Sequence, residues 1–209
     1  DPPARLVIVH GGGSFGHHHA AAHGVTTTVG TDDDEGIRAI HGAMKRLNAA
    51  AIDALTDAGV PAVPVHPLSA VHRRADGTLR FPEGAVETML GEGFVPVLHG
   101  DVVAHETKGA TILSGDELVV ELGEALSADR IGVCSAVSGV YDPAGDVIDR
   151  IDSFDDVENA VGESEDTDVT GGMAGKVRAL LALDAPASVF GIEALDSFVE
   201  GDDPGTRIQ

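Results

Sequence analysis

Four glycines in six residues, Gly11-Gly12-Gly13-Ser14-Phe15-Gly16, follow the apolar run Leu6 to Val9. An apolar segment that empties into glycines and restarts as a polar, helix-capable stretch constrains the fold more than any other feature of the chain. It predicts a strand–turn–helix unit whose bare backbone N–H groups and positive helix end converge on one point. That geometry suits an anion, most often phosphate. The histidines at 10, 17, 18, 19 and 23 beside it supply donors or a proton carrier.

The rest of the chain alternates in the same way. Arg5 to Val9, Val60 to Val65, Phe94 to Leu98, Ile131 to Cys134 and Val189 to Gly191 read as strands, the second interrupted by two prolines and so kept from a fully central place. Helices are predicted over about 16–23, 32–58, 82–92, 114–127, from Ser153, over 172–183 and over 193–199, with a last extended piece at Thr206 to Ile208. In the longest, Ile37, Ile40, Met44, Leu47, Ala51 and Leu55 recur every three or four residues, and Asp32 to Glu35 suit its N-terminal dipole. Small hairpins are expected around Asp76-Gly77 and Lys108-Gly109. The fold class is α/β, a mainly parallel open sheet sandwiched by helices, with the hairpins on the substrate side. Ligands then sit beyond the carboxyl ends of the strands.

With 209 residues, 43% of them hydrophobic, the chain can bury a real core and is expected to form one domain over 1–209. Its charge is extreme: 35 acidic against 13 basic residues, a net −22. Nucleic-acid binding needs a basic footprint and is excluded. Adaptation to high salt, where surface carboxylates stay hydrated and their repulsion is screened, accounts for the excess. A single cysteine, Cys134, fits a reducing cytoplasm, and the absence of an 18-residue apolar run argues against a membrane span. No secretory leader is expected before the first strand. Only three lysines occur, Lys45, Lys108 and Lys176, so each is expected to have a job.

Each motif has a plainer reading. The turn at 11–16 lacks Walker spacing and could serve packing alone. Gly12-Gly13-Ser14-Phe15-Gly16 also matches the G-x-S-x-G of serine hydrolases, with Ser14 as nucleophile. The oxyanion loop and the elbow of those enzymes come from separate strands, however, and here they would overlap. His19 and His23 share a helix face but lack a third ligand, so no metal site is expected. His17, at the exit of the turn, is the histidine placed to donate to a phosphate oxygen. Asp168-Val169-Thr170-Gly171-Gly172-Met173-Ala174-Gly175-Lys176 is a second glycine-rich helix start, with Lys176 one turn in; the alternative is a surface lysine on an amphipathic helix. Gly100-Asp101 and Ser114-Gly115-Asp116 are carboxylates at turns, weak alone because aspartate often caps helices. Beside two anion loops they can orient a lysine or Mg²⁺ between two phosphate-bearing ligands.

Taken together, His10 to His17, Pro96 to Val103, Ser114 to Leu118 and Asp168 to Lys176 resemble, in order and spacing over nearly the whole chain, the amino acid kinase superfamily and specifically the archaeal isopentenyl phosphate kinases. The Ser-Phe-Gly-His ending is the part specific to that branch. The resemblance implies ATP- and Mg²⁺-dependent phosphorylation of isopentenyl phosphate to isopentenyl diphosphate for isoprenoid synthesis by a mevalonate-type route, in a cytoplasmic homodimer. It implies His17, Lys176 and Asp116 as catalytic residues. Gly11, Gly12, Gly13, Gly16, Gly100, Asp101, Ser114 and Gly115 would lie at the acceptor. Asp168, Thr170, Gly171, Gly172, Met173, Lys176 and Tyr141 would lie at the nucleotide. Ile37, Ile40 and Met44 are the natural wall for the prenyl tail, or else ordinary core. A fosfomycin kinase shares the Ser-Phe-Gly-His pattern and is the neighbouring alternative.

Two departures stand out. Family members begin with a strand carrying Lys-x-Gly-Gly-Ser, whereas this chain opens at the second strand, so a segment is expected to precede Asp1; without that lysine the chain would be a nucleotide-binding sensor. The usual Thr-Asp-Val-Asp-Gly-Val-Tyr reads Ser135-Ala-Val-Ser-Gly-Val-Tyr141, two carboxylates short at the nucleotide.

Overall fold

A computed structural model describes residues 5–157 and 172–209, which divide into two compact units, Asp1–Glu121 and Leu122–Gln209.

In the first unit, β1 (Ile8–His10), β5 (Val95–His99) and β2 (Ala62–Pro64) form a three-stranded parallel sheet in the order β1-β5-β2. All five residues of β5 are buried, as a near-continuous apolar run in a parallel sheet should be. Pro61 and Pro64 keep β2 at the edge. The register sets Ile8 against Val97 and His10 against His99, so these two strands end together.

Helix α1 (Gly13–Ala22) starts earlier than its sequence pattern predicts, because Gly13 takes a φ of +46° that turns the chain directly from β1 into the helix. Helix α2 (Asp34–Asp57) is capped by Asp33, whose carboxylate accepts from Glu35 N and Gly36 N. Its buried face is Gly36, Ile40, Ala43, Met44 and Asn48, and it packs against α1 and on β2, β5 and β6. Ile40 and Met44 are therefore core residues, and only Ile37 stays partly exposed; this replaces the reading of all three as a tail-pocket wall.

A short α3 (Pro67–Ala70), not foreseen in the sequence, leads into β3 (His72–Arg73), β4 (Leu79–Arg80) and α4 (Glu83–Gly91). With β6 (Asp101–His105) and β7 (Gly109–Leu113), these strands form a second sheet, β4-β3-β6-β7, containing both expected hairpins. Arg73 is buried within it. The guanidinium donates to Thr111 Oγ1, Gly77 O and Ile112 O, and pairs with Glu117 at 2.9 Å. Lys108 has a structural task, donating from Nζ to Thr28 O at 2.9 Å and so tying down the loop before α2. Helix α5 (Gly115–Ala125) follows β7.

The second unit holds β8 (Ile131–Ser135), β9 (Arg150–Ile151), α6 (Gly172–Leu181), β10 (Ala187–Gly191), α7 (Leu195–Glu200) and β11 (Thr206–Ile208). Its sheet runs β8-β10-β11-β9, parallel except between β10 and β11. The helix expected from Ser153 is a single 3-10 turn, Phe154–Asp156, among the described residues; Ser153 and Asp156 close it as a reciprocal cap. No helix among the described residues is long and apolar enough to cross a membrane.

Candidate functional site

The ends of β1 and β5 and the starts of α1 and α5 meet in the first unit. Gly100 N donates to His10 O at 2.9 Å. A Cβ on Gly115 would lie 3.6 Å from His10 O and 3.7 Å from the Gly11 Cα, and one on Gly100 would lie 3.3 Å from Leu113 O. Of these glycines Gly100 is the one whose missing side chain the close backbone approach requires, whereas Gly11 faces open space. The first helical bond of α1 is Gly16 N to Gly12 O at 3.0 Å, while the N–H groups of Gly12, Gly13, Ser14 and Phe15 have no backbone acceptor. An open helix start of this kind can hold a phosphate.

His17 is exposed on α1, one turn beyond Gly13 and on the same side of the helix, and its ring has no hydrogen-bond partner among the described residues. His18 and His19 point to other sides. With Ser14, Phe15, Ala43 and Arg46 they line an open depression of about 320 Å³ between α1 and α2. His23 closes the end of α1 and pairs with Asp33 at 3.1 Å.

Several expected contact residues have other work. Gly16 is buried beneath Met44, whose Sδ would lie 2.8 Å from a Cβ placed there. Its N–H already serves the helix, so Gly16 allows α1 to approach α2 and offers nothing to a ligand. Gly100 is likewise occupied, its carbonyl accepting from His99 Nδ1 at 2.9 Å. Ser114 Oγ accepts from Glu117 N and Ser114 N donates to Glu117 Oε2, both at 3.0 Å, a reciprocal cap at the start of α5. Asp116 follows in the first turn of α5.

Asp101 faces inward and is buried. Its carboxylate accepts from His41 Nδ1 at 2.8 Å, Leu68 N at 3.2 Å and Val102 N at 2.9 Å. Burial raises its pKa, against the lowering effect of His41 and the backbone donors. Around it lies a cluster of four histidines. His10 ends β1, His99 ends β5, His66 follows β2, and His41 comes from α2. Ring centres are 5.7 Å apart for His10 and His99, 5.2 Å for His66 and His99, and 5.9 Å for His41 and His66. Each parallel strand of this sheet therefore delivers a histidine at or just past its carboxyl end. His99 donates from Nδ1 to Gly100 O, so its Nε2 accepts from His66 Nδ1 at 2.9 Å. Burial chiefly, with the charges of His10 and His41, pushes His99 down to about 4 despite the Gly100 bond. Burial also lowers His66, followed by the charges of His99, Lys45 and His41. The two His-Gly pairs, His10-Gly11 and His99-Gly100, were the readable signal for this cluster; the pairing of His41 with Asp101 was not.

In the second unit, Gly172 opens α6 with a φ of +59°, and Met173 and Lys176 lie in its first turns. Asp168, Thr170 and Gly171 fall outside the described residues. Tyr141 is exposed and bridges to Val147. Ser138 Oγ donates to Glu193 Oε1 at 3.0 Å, so a carboxylate stands beside the serine that replaces an expected aspartate. Among the described residues no cluster of three or more His, Cys, Asp or Glu could hold a metal ion.

The model of the Amino acid kinase family matches residues 3–184. The isopentenyl phosphate kinase of Haloferax volcanii is 64% identical over 180 residues, covering 86% of this chain and 73% of that protein. That of Methanothermobacter thermautotrophicus is 34% identical over 194 residues, covering 87% and 73%. An X-ray structure of an isopentenyl phosphate kinase superposes with a TM-score of 0.84 at 28% identity, over 99% of this chain and 85% of that one.

Proposed function

The chain belongs to the amino acid kinase family and, within it, to the isopentenyl phosphate kinases, and on that premise we propose how its residues divide the work of phosphorylating isopentenyl phosphate. That membership displaces the serine hydrolase reading, and Ser14 becomes a first-turn residue of α1.

The acceptor's phosphate lies against the open start of α1. Gly12 and Gly13 offer N–H donors, Gly11 faces open space beside them with Gly115 at the start of α5, and His17 donates to a phosphate oxygen. The observation that carries this is the turn itself: among the described residues, four consecutive N–H groups without a backbone acceptor, beside an exposed histidine without a partner.

ATP is held by the second unit through Gly172, Met173 and Lys176, with Asp168, Thr170, Gly171 and Tyr141 completing the nucleotide site. An oxygen of the acceptor phosphate bonds to the γ-phosphorus as the bond to the β,γ-bridging oxygen breaks, and ADP leaves. The acceptor oxygen is already ionised near neutral pH, so no strong base is needed; the task is to bring two anions together in line. Lys176 neutralises transferring charge, and Asp116, in the first turn of α5, is the carboxylate assigned to organise active-site lysines. Mg²⁺ would come with the ATP phosphates and would supply charge neutralisation there.

The two units belong to one domain, a reading supported by a family model that runs through both. The protein works in the cytoplasm as a homodimer. The net charge of −22 is an adaptation to high salt, supported by the identity to a Haloferax protein.

The test is ³¹P NMR of the full-length protein with MgATP and isopentenyl phosphate in molar KCl. The expected products are ADP and a prenyl diphosphate. Turnover of fosfomycin with none of isopentenyl phosphate refutes the assignment.

A further inference from the structure

Two strand ends in the first unit use the same local device. β1 ends Val9-His10-Gly11 and β5 ends Leu98-His99-Gly100, and the two histidines stand opposite each other in register. Each ring folds back on its own backbone: His10 Nδ1 lies 3.0 Å from Gly11 O, and His99 Nδ1 lies 2.9 Å from Gly100 O. A carbonyl oxygen only accepts, so Nδ1 carries the proton in both rings. The far nitrogens are held as well, His10 Nε2 by Asn48, whose Oδ1 lies at 3.0 Å, and His99 Nε2 by His66 Nδ1 at 2.9 Å.

At β1 this device reaches the anion turn. A trans peptide sets its C=O and N–H in opposite directions, and no cis peptide occurs among the described residues. With Gly11 O drawn to the His10 ring, the N–H of Gly12 is aimed away from that ring. It is one of the N–H groups without a backbone acceptor. A run of three glycines left to itself samples many peptide orientations. One of them would turn Gly11 O, rather than Gly12 N–H, towards a bound phosphate and repel it.

We propose that His10, held by Asn48, is a positioning residue: it locks the Gly11–Gly12 peptide with its N–H directed at the acceptor phosphate. The proposal rests on the assignment of this turn to the acceptor. Asn48 is fully buried on α2 and its Nδ2 has no hydrogen-bond partner. The two ends of an amide are nearly equal in shape. Exchanging the two ends puts Nδ2 in place of Oδ1 against the ring, so that Asn48 donates to His10 Nε2 while Nδ1 keeps its proton for Gly11 O. Residue 48 of α2 thereby sets a backbone orientation in the turn at residue 11.

The experiment compares His10→Asn with His10→Gln in the full-length protein, using steady-state kinetics with MgATP and isopentenyl phosphate. Asparagine places an amide donor near the position of Nδ1; glutamine places one near Nε2. His10→Asn is expected to keep KM for isopentenyl phosphate within about threefold, and His10→Gln to raise it about tenfold, the loss of one donor to an anion. KM for ATP stays constant in both. In the wild type, the ¹⁵N signals of the His10 ring report a neutral Nδ1–H form. Equal losses in the two variants, a parallel rise in KM for ATP, or a ring protonated on Nε2 alone overturns the proposal. Wild-type protein inactive on isopentenyl phosphate refutes the functional reading instead, and the ring spectrum, which needs no variant, still decides the peptide lock.

Discussion

Acidification from pH 6.5 towards pH 4 is expected to destabilise the first unit through His99. The side chain is fully buried, and burial chiefly holds it down to about 4 against an ordinary value of 6.5. The groups facing it are His10 from β1, His66 following β2, His41 from α2 and Asp101 from β6. A base whose folded value lies below its unfolded one binds fewer protons in the native state. Stability is therefore complete above about pH 6.5 and falls as the pH drops from there to about 4. At about 1.4 kcal/mol per pH unit, the ceiling for His99 alone is about 3 kcal/mol. His66, also lowered by burial, acts in the same direction. Asp101 acts in the opposite one, since an acid raised by burial holds its proton more tightly in the native state and gains stability as the pH falls through its folded value. The assay is denaturant unfolding at several pH values between 7 and 4.5, in constant molar KCl so that surface carboxylates are equally screened, for wild type and His99→Gln. Glutamine loses the bond to Gly100 O, about 1 kcal/mol, but does not titrate. The two stability curves should converge on acidification by about 2 kcal/mol or more. Curves that stay parallel to within about 0.5 kcal/mol refute the argument.

Gly16→Ala should destabilise by about 1–3 kcal/mol, since the new Cβ meets Met44 Sδ at 2.8 Å. Met44→Ala in the same chain should relieve part of that strain, and a thermal-melt double-mutant cycle measures the coupling. His17→Ala should lower kcat about 10²- to 10³-fold, whereas His18→Ala and His19→Ala stay near wild type in the same assay; equal losses at all three would misplace the phosphate. Ser114→Ala removes the cap of α5 and should cost about 1 kcal/mol in chemical denaturation.

The glycine turn, the alternation of strands and helices and both hairpins were legible because each has a local cause: a positive φ at Gly13, a central strand buried from end to end, and a tight turn at Asp76-Gly77. What the sequence concealed was the destination of polar side chains. Asp101 reads as a substrate carboxylate until His41, 60 residues away, takes it inward. Gly16 reads as part of the anion cradle until Met44 covers it. Ile40 and Met44 illustrate the limit of periodicity, which identifies the inward face of a helix but cannot separate core from pocket wall. His66 and His99 meet only because β2 and β5 are neighbours, and no spacing rule contains that fact.

The thioether of Met44 has a reach beyond packing. It would lie 3.3 Å from a Cβ at Gly12 and 2.8 Å from one at Gly16, so one flexible side chain rests on both ends of the turn. A redesign that hollows α2 at Met44 to admit a bulkier prenyl phosphate would also loosen the cradle that grips the phosphate, and the gain in breadth would come with a slower enzyme. Room for larger acceptors has to be found in side chains that do not touch Gly12 or Gly16.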